Sequence, residues 1–148
     1  MIDGYDVARH SIHSILWESC RDRYMKNELK PGLKHTQTYE TTARMRAPQL
    51  THADVFSTPS MIGLMEGTCV RLTAPFLDEG ENSVGMHVDV HHLAPTKIGQ
   101  TVTVTAEVLE IAGNKIRYAV SAVNDAGMKI GEGTHRRAVT RPKRLPEA

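Results

Sequence analysis

Residues 57–75 read STPSMIGLMEGTCVRLTAP, and this stretch decides the fold. A hydroxyl residue followed by proline, Ser57-Thr58-Pro59, signals a helix start. The hydroxyl accepts a hydrogen bond from a free backbone N–H, and proline at the first helical position lacks an N–H that would go unused anyway. Thr58 is taken as the cap. Met61, Leu64, Met65, Thr68, Cys69 and Leu72 then recur at helical spacing, and Ile62 and Val70 widen the apolar face. Pro75 ends the regular helix. Some eighteen residues make a rod of about 27 Å, long enough to lie along a whole sheet.

Upstream, a Thr-rich alternating segment from His35 to Met45 predicts a strand after the Lys30-Pro31-Gly32 break. Downstream the chain reads as an antiparallel meander. Val84 to Leu93, Thr101 to Ile111, Ile116 to Ala122 and Met128 to Thr140 alternate apolar and polar residues. Turn residues separate them at Asp78–Asn82, Lys97–Gly99, Ala112–Asn114 and Asn124–Gly127. One long central helix packed on a curved antiparallel five-stranded sheet is an α+β architecture. Residues 1–29 form a mixed polar arm in which Ile12, Ile15 and Leu16 support only a short amphipathic helix. Met25 offers an alternative start that would make the preceding residues dispensable. Residues 30–142 are the domain, and 143–148 a charged, flexible tail.

A chain of 148 residues with 40% hydrophobic and 24% charged content buries one ordinary core. Its net charge of +1 supplies no field to draw nucleic acid or an anionic membrane. No apolar run approaches the roughly 20 residues a bilayer span requires, and the N-terminus has no secretory pattern. Cys20 and Cys69 make no disulfide framework, and Cys69 falls in the apolar helix face, so a cytoplasmic setting is expected. Phosphate cradles, nucleophile elbows and Cys-x-x-Cys pairs are missing from the sequence.

Three residues stand out as chemistry. Glu66 lies mid-helix among apolar neighbours and is flanked by Gly63 and Gly67. Two interior glycines cost a helix about 2 kcal/mol relative to alanine, so the small residues either admit a packing neighbour or leave room for a substrate to approach. Gly63 is the candidate for that contact. In an apolar site, desolvation raises a glutamate toward neutrality, which suits a general base. In the strand Gly85-Met86-His87-Val88-Asp89-Val90-His91-His92, alternation puts Met86, Val88, Val90 and His92 on the core face. His92 therefore points inward, toward the helix layer. His87, Asp89 and His91 share the other face, where a solvated polar surface is expected and a metal is not. Thr58 precedes Glu66 by eight residues, about 12 Å of helix, so the two meet only if the cap loop folds over or a partner chain intervenes. Lys97, Lys129, Arg136 and Arg137 could meet phosphates, but basic residues scattered in this way usually solvate a surface.

The segment VFSTPSMIGLMEGTCVRL at 55–72, with GMHVDVHH, GQTVTVTAEV and GEGTHRRAV, resembles the fluoroacetyl-CoA thioesterase branch of the hotdog-fold thioesterases from about Asp54 to Val139. The resemblance implies hydrolysis of a short-chain acyl-CoA by a threonine, a glutamate and a histidine, at Thr58, Glu66 and His92. It also implies a glycine near the acyl group at Gly85. It implies no cofactor, CoA being part of the substrate, and a homodimer with interfacial sites, with further pairing to a tetramer left open. A non-catalytic acyl-CoA-binding or sensing module on the same fold is the rival reading. That family has phenylalanines shortly before its threonine that help select the fluorinated acyl group. Gln49 and His52 stand there instead, so a broader or different short acyl group is expected.

Overall fold

The computed structural model describes residues 24–141. Strand β1 (Lys34–Glu40) and a short 3-10 turn at Ala43–Met45 lead to helix α1 (Thr58–Thr73). Four strands follow: β2 (Asn82–His92), β3 (Thr101–Ala112), β4 (Lys115–Asn124) and β5 (Lys129–Thr140). All pairings are antiparallel, in the order β1-β3-β4-β5-β2. β3, β4 and β5 form a meander as the alternation predicts, but β2, expected to lead into it beside β3, pairs with β5 instead. β1 and β2 occupy opposite edges, and α1 is the crossover between them. β1 ends earlier than the Thr-rich pattern suggests because its partner β3 begins at Thr101, opposite Glu40.

The core lies between α1 and the sheet. Met61, Met65, Cys69 and Leu72 are buried against the inward residues of β3 and β4, among them Val104, Val108, Ile116 and Tyr118. Thr73 and Tyr118 join their hydroxyls in that layer. Gly131 of β5 is needed here, because a Cβ would collide with the Met61 side chain.

Four further expectations need correction. The helix cap is Ser57, whose Oγ accepts from Ser60 N at 3.3 Å, and Thr58 is the first helical residue. Val70 is 39% exposed and belongs to a flank of α1 that the sheet leaves uncovered. In β2 the register against β5 shifts between Gly85 and His87. This bulge takes Met86 out of phase, into a cleft it shares with Glu110, Arg117 and Arg136. Finally, Met25 and Leu29 are buried in the core cluster, at 4% and 5% exposure, so residues 24–29 belong to the packed unit. Glu81 ties this segment down, accepting from Met25 N at 3.1 Å and from Arg141 at 2.7 Å. The amphipathic pattern around Ile12, Ile15 and Leu16, together with Cys20 and the tail 143–148, falls outside the described residues.

Candidate active site

Capping by Ser57 leaves the Thr58 hydroxyl free for another partner. It lies 2.8 Å from His92 Nδ1. His92 closes β2 and points toward the helix layer, as alternation predicts, with Phe56 edge-on at 6.5 Å between ring centroids. Its Nε2 is buried and has no hydrogen-bond partner among the described residues. The pair opens onto a cleft of about 330 Å³ lined by Val55, Thr58, His92, Leu93, Ala94 and Pro95.

Glu66 meets a different group. Arg137 Nη1 donates to Glu66 Oε1 at 2.8 Å; the arginine side chain is 3% exposed and the glutamate 44%. Arg137 is braced by bonds from Nε to Ser83 Oγ at 3.1 Å and from Nη2 to the Ser83 carbonyl at 2.7 Å. Gly85 comes so close that a Cβ there would stand 3.0 Å from Glu66 Oε1. A side chain at 85 would press on the carboxylate and make it shift by a few tenths of an ångström. Gly63, by contrast, has open space where its Cβ would be. The surroundings of Glu66 are not the apolar pocket that the flanking helix residues suggest: a buried guanidinium faces it on one side and solvent on the other.

Reading Arg137 as surface solvation was wrong, and the sequence held the clue. In β5, Gly131, Gly133, His135, Arg137 and Val139 share one parity, and Val139 is fully buried. Alternation alone would have turned Arg137 inward.

The chain brings Thr58 to His92 and Glu66 to Gly85, but it keeps the two pairs apart. Thr58 and Glu66 are about 12 Å apart along the helix. Gly85 and His92 are seven residues apart on β2, about 23 Å of strand. Both pairs lie on the helix side of the sheet. His87, Asp89 and His91 are exposed along the edge strand, and no three His, Cys, Asp or Glu side chains among the described residues gather as an ion site.

The profile of the fluoroacetyl-CoA-specific thioesterase family matches residues 38–143, which include every element that builds the site. The chain belongs to this family. A fluoroacetyl-CoA thioesterase from Streptantibioticus cattleyicolor is 50% identical over 86 residues, covering 58% of this chain and 61% of that protein. The matched segment therefore spans less than two thirds of that relative. A solved structure of the fluoroacetyl-CoA thioesterase FlK superposes with a TM-score of 0.71 at 37% identity, over 76% of this chain and 89% of that one. A point mutant of FlK in complex with fluoroacetate and CoA gives 0.70 at 39% identity, over 76% and 96%. A thioesterase-superfamily protein from Thermus thermophilus gives 0.73 at 27%, over 78% and 87%. The helix-on-sheet arrangement is the hotdog fold.

In this member of the fluoroacetyl-CoA-specific thioesterase family a second cleft lies beside the Thr58–His92 pair. It measures about 580 Å³ and adjoins the first through Val55 and Pro95, and His52, Asp54, Lys97 and Gln100 line it. Arg46 holds its rim through Asp54 at 3.1 Å.

Proposed function

We propose that this protein hydrolyses short-chain acyl-CoA thioesters to the free acid and CoA. The observation that carries the reading is Glu66: a helix carboxylate pinned by a buried arginine, yet 44% open on the flank where β2 passes without a side chain. A fixed carboxylate is competent as a nucleophile or as a general base toward water. By the first route it attacks the thioester carbonyl, expels CoA thiolate and leaves an anhydride that water resolves. By the second it takes a proton from the water that attacks the carbonyl. In either case the elements of water divide between the acid and the CoA thiol. A thiol pKa near 8.5 makes the thiolate a leaving group that needs little help. Thr58 and His92, sharing a hydrogen bond, orient the carbonyl or the water and pass the proton. Gly85 and Gly63 supply close approach for the acyl end, and no cofactor is required because CoA arrives with the substrate.

The working unit is a homodimer. β2 is an 11-residue strand at the sheet edge, with Val84 47% and Val88 39% exposed beside Val70. A long edge of unpaired backbone groups, with valines exposed along it, calls for a partner strand. If two copies pair their β2 strands antiparallel about a two-fold axis through Asp89, Val88 faces the partner's Val90 and the Gly85–Met86 bulge faces the partner's His92. Glu66 of one protomer then meets the Thr58–His92 pair of the other, closing the gap that a single chain leaves. Each dimer would hold two such composite sites. A cytoplasmic setting fits the buried free thiol of Cys69. The polar groove containing His52 favours a short acyl group other than fluoroacetyl.

The test is release of free thiol from a panel of short acyl-CoAs by wild type and Glu66→Gln. Turnover by wild type and its loss in Glu66→Gln support the proposal. Saturable binding without turnover, unchanged in the variant, would instead make this a binding module.

A further inference from the structure

His135 is buried at 3% exposure one strand in from the edge, and neither its sequence context nor the proposed chemistry assigns it a task. Its two ring nitrogens are fully specified by their neighbours. Nδ1 lies 2.9 Å from the His87 carbonyl oxygen, which can only accept, so Nδ1 carries the proton. Nε2 lies 3.1 Å from Arg137 Nη1, which can only donate, so Nε2 presents its lone pair. The same Arg137 Nη1 donates to Glu66 Oε1 at 2.8 Å. One tautomer of the neutral ring satisfies both contacts, and the charged ring satisfies only one.

We propose that His135 is a positioning residue of the hydrolytic site, fixing Arg137 through Nε2 and, through Arg137, the Glu66 carboxylate. The kinetic part of this inference rests on the thioesterase reading, whereas the tautomer does not. Arg137 faces His135 from its own strand, Glu66 from α1, His87 from β2, and the Tyr118 ring from β4, stacked at 6.4 Å. The Tyr118 phenol and the Cys69 thiol behind it are both pushed up to about 12 by burial, so neither adds charge. Burial also holds His135 below its ordinary value, which keeps the ring neutral near pH 7. On acidification the incoming proton goes to Nε2 and points at a guanidinium. Donor then faces donor and cation faces cation, Arg137 withdraws, and Glu66 loses its anchor.

Three measurements test this. Long-range nitrogen–proton NMR of the full chain reads the His135 tautomer with or without turnover: the Nδ1–H form supports the proposal, and the Nε2–H form overturns it. Kinetically, His135→Phe should lower kcat about ten- to hundredfold, the value of one hydrogen bond to a charged group, with KM within about twofold. His135→Gln, which restores an acceptor toward Arg137, should recover most of that loss. It also cannot take up a proton, so it should keep a larger fraction of its neutral-pH kcat than wild type does at a pH acid enough to charge the depressed His135 ring. Full kcat in a folded His135→Phe, or identical acid limbs in wild type and His135→Gln, overturns the proposal. Absence of turnover in wild type would sink the thioesterase reading alone and leave the spectrum to judge the tautomer. If His135→Phe fails to fold, His135→Gln and the spectrum still decide.

Discussion

Replacing Arg137 with methionine separates structural from chemical roles in this site. The guanidinium bonds Glu66 at 2.8 Å, His135 at 3.1 Å, Ser83 Oγ at 3.1 Å and the Ser83 carbonyl at 2.7 Å. Methionine fills much of the volume, so the cavity term is small. Two interior acceptors, the Ser83 carbonyl and His135 Nε2, lose their donor at about 1–3 kcal/mol each. Glu66 adds little, because a side chain 44% exposed rehydrates when its partner leaves. Arg137→Met should therefore destabilise the fold by about 2–6 kcal/mol. Glu66→Gln, which keeps an oxygen acceptor for Arg137, should cost less than about 1 kcal/mol. Urea unfolding followed by circular dichroism reads both as shifts in midpoint at constant slope. In the thiol-release assay Arg137→Met should lose at least about tenfold in kcat, because its carboxylate is no longer held in place. Equal stability losses in the two variants, or an Arg137→Met enzyme of wild-type stability and kcat, would refute the reasoning.

Gly85→Ala places a methyl 3.0 Å from Glu66 Oε1, so the carboxylate must shift; kcat should fall about tenfold while the unfolding midpoint moves little. Ser57→Ala should cost about 1 kcal/mol of stability with kcat retained, whereas Thr58→Val should leave stability nearly unchanged and lower kcat, separating the cap from the His92 partner. Leu29→Ala, in a segment the sequence reading placed outside the domain, should cost about 2–5 kcal/mol in the same urea experiment.

The fold was largely legible because two periodicities dominate the chain. Met61, Met65, Cys69 and Leu72 at helical spacing and the alternating Val102–Val108 run could be satisfied only by a helix on a sheet, and these residues are buried. The N-cap was misplaced by one position, since Ser57 and Thr58 both carry a competent hydroxyl and only geometry chooses between them. The bulge at Met86 was invisible because a one-residue register shift has no composition signature here. Residues 24–29 carry too few apolar side chains to announce burial, and Glu81, read as a turn residue, is what fastens them. At the site, Glu66 stood out as a charge in an apolar helix face, whereas Arg137 hid among basic residues with no local contrast. The separation of Glu66 from His92 could not be read locally, because it depends on β2 being an edge strand.

The most direct test of the account is to co-express Glu66→Gln and His92→Ala chains under two tags and purify the mixed dimer. Each variant alone should be inactive. If Glu66 works with the partner's His92, the mixed dimer rebuilds one intact site of two and recovers about half the wild-type rate. A mixed dimer as inactive as its parents would contradict the shared site.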